Sequence, residues 1–202
     1  MKFFVLSDIH GSYEDLKRCK EIIDSEDGNG VIICGDYLNH GPRNAIPAGY
    51  NPGDSDGLLN SFKDKIISVR GNCDSEVDQM LLEFPVLESH TRLYVFGNGT
   101  GAQSPNKRTC MVFIHHGHLF DRENLLKNNP AGTVFIQGHT HVPLLEVQEG
   151  SLFFNPGSIS IPKTETGKTF GVIETVQSGV RIQLRNLENK ILKELVFHPA
   201  NR

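Results

Sequence analysis

The sequence has no apolar run long enough to cross a membrane. A membrane span needs about 18 consecutive apolar residues, and no stretch of the 202 residues approaches that length. The apolar run that follows Met1 is also too short for the hydrophobic part of a secretory signal. We therefore expect a cytoplasmic protein that does not contact a membrane.

Clustered positive charge is missing as well. No run of Lys and Arg exceeds two residues, and 20 basic residues against 24 acidic ones give a formal net charge of −4. A nucleic-acid-binding surface requires a basic patch or stripe. The composition therefore indicates no such surface.

The four cysteines stand far apart, at positions 19, 34, 73 and 110, and no two form a C-x-x-C pair. The lack of a thiolate set argues against a structural zinc site. Cys19 and Cys34 lie in apolar segments typical of buried free thiols, which fits a reducing compartment.

The sequence is rich in glycine, proline and histidine. It has 20 Gly and 10 Pro without a collagen-like period, which indicates many tight turns between short elements. Its length suits one domain, and we expect residues 1–202 to form it. The nine His residues are numerous for such a chain, and their positions carry the functional interpretation.

Short apolar runs typical of β-strands recur along the whole chain. They lie at 3–6, 31–34, 66–69, 93–96, 111–114, 134–136, 144–147, 152–154, 172–176, 180–184 and 191–197. Strands and helices alternate in the first half, whereas hairpins, for example across 149–150 and 178–179, dominate the second. The pattern predicts one α/β domain with two sheets.

Two helices and two long loops are predicted between these runs. Ser12 precedes apolar residues at helical spacing up to Ile23, and Ser75 precedes a second such segment, Val77, Met80, Leu81 and Phe84, which Pro85 ends. Residues 41–57 contain three prolines and are expected to form a long loop. The polar stretch 97–108 is expected to be an extended loop.

Ligand-type side chains follow the predicted strands. The segments concerned are Asp8-Ile-His10, Gly35-Asp36, Gly71-Asn72-Cys73-Asp74, His116-Gly-His118, Gly138-His139-Thr-His141 and Asn155-Pro-Gly-Ser158. In α/β folds, ligands bind beyond the carboxyl ends of strands. These six turns can therefore converge on one site.

The spacing within two of these turns suits metal binding. In extended backbone, residues i and i+2 point to the same side, so Asp8 with His10, and His139 with His141, can each direct two donors into one space. Glycines at 35, 71, 117 and 138 allow sharp turns beside the ligands. Imidazole, carboxylate and amide donors suit Mn²⁺, Fe²⁺, Co²⁺, Ni²⁺ or Zn²⁺. These donor side chains are sufficient in number to bind two ions.

The series of motifs resembles the calcineurin-like metallophosphoesterase superfamily, and within it the bacterial phosphodiesterases. The motifs are Asp8-x-His10, Gly35-Asp36, Gly71-Asn72-x-Asp74, His116 and Gly138-His139-x-His141. The resemblance runs from Met1 to about Pro162, and the 97–108 stretch is an insertion relative to it. It implies a four-layer α-β-β-α sandwich of two mixed sheets.

The resemblance also implies a ligand set and a reaction. Asp8, His10 and His141 would hold one metal, Asn72, His116 and His139 the other, and Asp36 would bridge the two. The expected cofactors are two divalent cations, most simply Mn²⁺. The reaction would be phosphodiester hydrolysis of class EC 3.1.4, with a metal-bridging hydroxide as nucleophile.

Many relatives carry a His proton donor in a Gly-Asn-His-Asp motif, but this chain has Cys73 there. A thiol is protonated at pH 7 yet lacks the charge of an imidazolium. We therefore expect weaker catalysis with poor leaving groups, and His40 or His118 to cover part of the role. The alternative for His118 is a structural histidine. Asp74 is expected to orient residue 73 or a ligand.

Three residues of the proline-rich loop are candidates for substrate binding. His40 stands where related protein phosphatases have a phosphate-binding Arg, and Arg43 and Asn44 follow it. The alternative is that Arg43 and Asn44 only shape the loop.

Two other functions stay open. One is a scaffold with a damaged metal site, as in the related subunit of retromer, but this chain keeps every ligand position, including His10 and Asn72. The other is a phosphomonoesterase or protein phosphatase, although protein phosphatases are larger. A phosphate ester is the expected partner, and a homo-oligomer is possible.

Overall fold

A computed structural model of the chain describes residues 1–96, 109–177 and 179–199. The strands are β1 (Lys2–Leu6), β2 (Gly30–Ile33), β3 (Ile66–Ser68), β4 (His90–Phe96), β5 (Thr109–His115), β6 (Val134–Ile136), β7 (Leu144–Gln148), β8 (Ser151–Asn155), β9 (Thr169–Val176), β10 (Gly179–Asn186) and β11 (Ile191–Phe197). The helices are α1 (Tyr13–Ser25), α2 (Pro52–Asn60), α3 (Glu76–Leu81) and α4 (Arg122–Asn128), with a 3₁₀ turn at Lys63–Lys65.

The strands form two mixed sheets. The six-stranded sheet has the order β11-β10-β9-β1-β2-β3, in which β1, β2 and β3 are parallel and the other pairs antiparallel. The five-stranded sheet has the order β4-β5-β6-β8-β7, with β5, β6 and β8 parallel between two antiparallel edges. Each of the eleven predicted runs overlaps one of these strands, and the runs at 31–34 and 66–69 extend one residue beyond theirs.

Alternating side chains divide the core into layers. In β1, Phe4 packs with Leu16 of α1, whereas Val5 packs with Ile114 of the other sheet. In β5, Phe113 faces the opposite way, towards α4. Because strand side chains alternate between faces, each sheet contributes to two apolar layers. The predicted four-layer α-β-β-α sandwich is confirmed.

The helices agree with the sequence only in part. Helix α1 follows Ser12 as predicted. The prediction that residues 41–57 form a loop throughout was wrong, because α2 begins within them at Pro52. The Asn51 side chain accepts a hydrogen bond from Asp54 N, and proline suits the first turn of a helix. Helix α4 was not predicted.

The helix after Ser75 is shorter than expected. Its capping box pairs Ser75 with Asp78, but α3 ends at Leu81, and Val77 and Met80 are exposed. Residues 82–86 alternate between buried and exposed positions, as an extended segment does. Burial of Leu82, Phe84 and Val86 therefore replaces the helical face that the sequence suggested.

Residues 97–108 lie outside the described residues, so their identity as an inserted loop stays a prediction, as does the single-domain organisation. Within the described part of the chain, no helix is both long and apolar enough to cross a membrane.

A charged cluster joins the first strand to the last hairpin. The Glu26 carboxylate, just after α1, accepts hydrogen bonds from Lys2, from Arg185 Nη1 at 2.6 Å and from Asn189 Nδ2 at 2.7 Å. Burial acts to raise the pKa of Glu26, but these donors outweigh it and lower the pKa to about 2. The ionised form therefore contributes to stability.

We expect Glu26→Gln to lower the free energy of unfolding at pH 7 by about 1 kcal/mol, since the group is partly exposed. A lowered folded-state pKa means that the contribution is complete above the ordinary value of 4.5 and declines as the pH falls towards 2. Urea unfolding between pH 7 and pH 4 measures it. Glu21→Gln, in an exposed pair with Arg18, is the control with little effect. If the difference in free energy of unfolding between wild type and Glu26→Gln grows below pH 4.5, this account is contradicted.

Candidate metal centre

All seven predicted metal ligands lie at the carboxyl ends of strands from both sheets. Asp8 and His10 follow β1, Asp36 follows β2, Asn72 follows β3, His116 follows β5, and His139 and His141 follow β6. Asp8, His10, Asp36, His116 and His141 are each at most 2% exposed. The two sheets thus bring sequence-distant donors to one end of the sandwich.

The backbone is strained at these residues. Eight non-glycine residues of the described chain have positive φ, and five of them are predicted ligands: Asp8, His10, Asp36, His139 and His141. Such conformations cost of order 1–3 kcal/mol each and persist where surrounding structure enforces them. This concentration of strain marks the strand ends as a functional site.

Three of the histidines have their tautomer set by a backbone carbonyl. Nδ1 donates from His10 to Asn39 O at 2.7 Å, from His116 to Cys34 O at 2.6 Å and from His141 to Ile161 O at 2.6 Å. Because a carbonyl only accepts, Nδ1 carries the proton, and Nε2 of the neutral ring presents a lone pair to the site. Metal-binding histidines are commonly oriented in this way.

Asp8, His10 and His141 form a compact donor group. Nε2 of His10 lies 3.3 Å from Nε2 of His141, and the latter lies 3.2 Å from Asp8 Oδ1. Asp8 Oδ1 is buried and has no hydrogen-bond donor among the described residues. Two lone pairs and a carboxylate oxygen repel one another at these distances unless a cation lies between them. The residues present therefore fit a metal ion.

Asp36 lies between this group and a second one. Its Oδ2 atom is 3.6 Å from His10 Nε2 and 3.5 Å from His116 Nε2. His116 Nε2 is also 3.1 Å from Asn72 Oδ1. One carboxylate oxygen is thus nearly equidistant from a histidine of each predicted ligand set, which is the position that the predicted bridging role requires.

His139 is the least tightly grouped of the predicted ligands. Its ring centroid lies 5.1 Å from that of His116, and its backbone N–H donates to Asp8 Oδ2 at 3.1 Å. The close donor groups of the described chain are Asp8 with His10 and His141, Asp8 with Asp36 and His116, and His10 with Asp36 and Cys73. His139 belongs to none of them.

The electrostatics of the site favour positive charge. Burial acts to raise the pKa values of Asp8 and Asp36, but contact with His141 and His116 holds both below the ordinary range. Burial acts to lower the pKa of His116, yet contact with Asp36 and the charge of Asp8 raise it to about 9, so without a cation in the site Nε2 also holds a proton. Two buried carboxylates therefore demand a cationic partner, which a divalent metal supplies.

Asp74 supports the turn that carries Asp36. Its carboxylate accepts hydrogen bonds from Asp36 N at 2.8 Å, Tyr37 N at 2.9 Å and Gly71 N at 2.6 Å. Burial, followed by the charge of Asp36, raises the pKa of Asp74 to about 7. Asp74 thus orients a predicted ligand through the backbone, one of the two roles expected for it.

The Asn-Pro-Gly-Ser segment supports the other strand ends. The hydroxyls of Ser158 and Ser160 donate to Asp8 O at 2.8 and 2.9 Å. Asn155 Nδ2 donates to Gly138 O at 2.8 Å, which fixes the turn before His139. These contacts hold strained ligand backbone without using any ligand side chain.

The turns after β2 and β3 approach each other closely. Gly35 has φ of +93°, and a Cβ atom there would lie 2.4 Å from Gly71 N. A Cβ atom on Gly71 would lie 2.0 Å from Asp36 Oδ1. Any side chain at position 71 would therefore displace the central carboxylate.

A cavity of about 700 Å³ opens beside these donors, within the size range of small-molecule sites. It is lined by Asp36, Asn39, Gly41, Pro42, Arg43, Asn44, Asn72, Cys73, His139, Thr140, His141 and Lys163. Arg43 and Asn44 line the wall, and their contact with substrate stays a prediction. Lys163 was not predicted, because nothing in the short segment after Pro162 relates it to His141.

Two predicted catalytic histidines do not line the cavity. The His40 ring packs edge-on against Tyr50, with centroids 5.4 Å apart. The His118 ring lies 5.3 Å from that of His116 and 6.0 Å from that of His139. The catalytic roles of His40 and His118 therefore stay predictions.

Comparisons with known proteins agree with this geometry. The calcineurin-like phosphoesterase superfamily domain matches residues 1–178. Phosphodiesterase YfcE of Escherichia coli strain K12 is 43% identical over 175 residues, which cover 86% of this chain and 88% of that protein.

Solved structures show the same architecture. The E. coli phosphoesterase Yfce superposes with a TM-score of 0.86 at 37% identity, over 98% of this chain and 100% of that one. Vps29 of Entamoeba histolytica complexed with Zn²⁺ shares the fold, with a TM-score of 0.64 at 18% identity over 98% and 100% of the two chains. The matched length, the identity and the strand-end donors together mean that this chain belongs to the calcineurin-like phosphoesterase superfamily.

Proposed function

We propose that this protein is a metal-dependent phosphodiesterase that hydrolyses its substrate at a dinuclear centre. The observation that carries the proposal is the position of Asp36 Oδ2, 3.6 Å from His10 Nε2 and 3.5 Å from His116 Nε2. Two donor groups that share one carboxylate are suited to two neighbouring cations. The identity of 43% to Phosphodiesterase YfcE supports a diester as substrate.

The ligand assignment is that made from the sequence. Asp8, His10 and His141 would hold one cation, Asn72, His116 and His139 would hold the other, and Asp36 would contact both. Mn²⁺ is our first candidate for both positions, with Ni²⁺, Co²⁺, Fe²⁺ and Zn²⁺ as alternatives. Such cations, when bound, lower the pKa of coordinated water and neutralise charge on phosphoryl oxygens.

The chain itself positions the substrate and holds a proton for the leaving group. Arg43 and Asn44 line the cavity within reach of a phosphate ester. Cys73 also lines it, and its backbone N–H donates to Asp36 Oδ1 at 2.8 Å. Burial, and then the charge of Asp36, raises the pKa of Cys73 to about 12, so the thiol stays protonated at neutral pH. The thiol is therefore a weak general acid.

A scaffold function is the second candidate, because Vps29 structures share the fold. Their identity of 18% or less carries no information on activity in this chain. Asp8 Oδ1, which is buried and has no hydrogen-bond donor among the described residues, and the complete set of predicted ligands favour an enzyme.

The first test is a matrix of Mn²⁺, Ni²⁺, Co²⁺ and Zn²⁺ against bis(p-nitrophenyl) phosphate and p-nitrophenyl phosphate. We expect chelation to abolish turnover, Mn²⁺ to restore it, and the diester to be preferred. Asp36→Asn should reduce kcat/KM by more than about a hundredfold, beyond the loss typical of a residue that only supports a ligand. Asp64→Asn, on the exposed 3₁₀ turn, is the matched control and should retain activity. No metal binding together with no hydrolysis would favour the scaffold.

The second test concerns the close contact at Gly71. We expect Gly71→Ala to weaken Mn²⁺ binding at least about tenfold in titration calorimetry, because the added Cβ displaces Asp36. Gly57→Ala adds the same methyl group in α2, where it meets nothing within 4 Å, so metal affinity should not change. Equal Mn²⁺ affinity in both variants would contradict a ligand role for Asp36.

The third test concerns the proton donor. We expect Cys73→His to raise kcat for an alkyl phosphodiester by about tenfold or more, and to change kcat for an aryl diester much less, because phenoxide leaves without strong assistance. Cys73→Ser is the control that offers no better acid. If alkyl diesters react at the same rate in the wild type and in Cys73→His, residue 73 has no role in protonating the leaving group.

A further inference from the structure

Two cationic side chains line the cavity. Arg43 belongs to the loop that follows β2 of the six-stranded sheet, and Lys163 to the segment that follows β8 of the five-stranded sheet. The backbone N–H of Lys163 donates to His141 O at 3.3 Å, which ties this segment to a predicted ligand. The cavity is thus bounded by two positive charges that lie far apart in the sequence.

Neither charge is neutralised within the described part of the chain. Other basic residues, such as Arg122 and Lys168, form ion pairs with carboxylates, but no acidic partner lies within ion-pair distance of Arg43 or Lys163. Both residues are exposed, whereas Asp36 and His141 are nearly fully buried. The two cations therefore lie at the mouth of the cavity and the proposed metals at its floor.

Charge balance then indicates what the mouth of the cavity binds. On the proposed function, two divalent cations are offset by Asp8, Asp36, one hydroxide and the single negative charge of a phosphodiester. The floor is neutral once a simple diester is bound, and the charges of Arg43 and Lys163 stay unmatched. A second anionic group on the substrate, remote from the scissile phosphate, would match them.

We propose that Arg43 and Lys163 form an anion subsite that selects phosphodiesters carrying a second phosphate group. This inference rests on the proposed function and specifies its substrate class. The volume of about 700 Å³ accommodates a ligand of nucleotide size, larger than one phosphate with a small alkyl group. Lys163 is thus a specificity-determining residue, not a catalytic one.

A matched pair of chromogenic diesters tests the subsite: the p-nitrophenyl ester of thymidine 5′-phosphate, with and without a phosphate on the 3′-oxygen. With Mn²⁺, wild-type protein should show a KM about fivefold lower for the 3′-phosphorylated ester, the upper range for solvent-exposed charge pairs. Lys163→Gln and Arg43→Gln should each remove this difference. Lys163→Arg should retain it, because the charge is kept.

Lys65→Gln is the control for loss of a surface charge. Lys65 precedes β3 and therefore lies at the end of the sheet opposite the cavity. A second readout does not depend on turnover: calorimetric binding of adenosine 3′,5′-bisphosphate and adenosine 5′-monophosphate. Wild type should bind the bisphosphate more tightly, and Lys163→Gln should bind the two alike.

The outcomes separate this inference from the proposed function. If wild type hydrolyses neither ester with any of the four metals, the proposed function fails. If it hydrolyses both with equal KM, or if Lys163→Gln weakens both esters equally, the anion subsite is overturned and the phosphodiesterase stands. If Lys163→Gln changes KM for p-nitrophenyl phosphate alone, the anion subsite is also overturned, because Lys163 would then bind the phosphate that is hydrolysed. A second pair of p-nitrophenyl diesters, built on glycerol with and without a further phosphate, shows whether the substrate is a nucleotide or a small polyol phosphate.

Discussion

The position of one carboxylate, Asp36, determines how the site is organised. It lies between a histidine that follows β1 and one that follows β5, so it joins the two sheets electrostatically at the end of the sandwich. Asp74 holds its backbone, and the missing side chain at Gly71 leaves room for its oxygen. The like charge of Asp8 nearby makes the arrangement costly unless positive charge is present. The fold therefore sets the positions of the donors, and a bound cation offsets the repulsion between the two carboxylates.

Neither sheet could build this site alone. The six-stranded sheet supplies both aspartates and His10, and the five-stranded sheet supplies His116, His139 and His141. The apolar layer between the sheets, in which Val5 packs near Ile114, sets the distance between the two groups. Core substitutions in that layer are accordingly expected to affect the site through the spacing of its ligands, although they contact none of them.

The strands, and the meeting of the polar residues that follow them, could be predicted because each rests on a local pattern. Short runs rich in Val, Ile and Phe identify strands, and polar residues directly after them identify strand ends. The end of helix α3 was harder to predict than its start. Capping by Ser75 is a local feature, whereas the extended conformation of Leu82 to Val86 depends on tertiary burial. The direction of the His40 ring depends on Tyr50, and the place of Lys163 depends on the approach of two sheets. None of these follows from spacing along the chain.

The left-handed backbone at five predicted ligands has a consequence for metal exchange. The hydroxyls of Ser158 and Ser160 and the carboxylate of Asp74 hold these turns through backbone contacts that involve no donor atom. The chain therefore pays the conformational cost during folding, and the donors are in place before an ion arrives. Exchange of one divalent ion for another requires little rearrangement of the chain. The supply of each metal ion, more than the shape of the site, then determines which ion the protein carries.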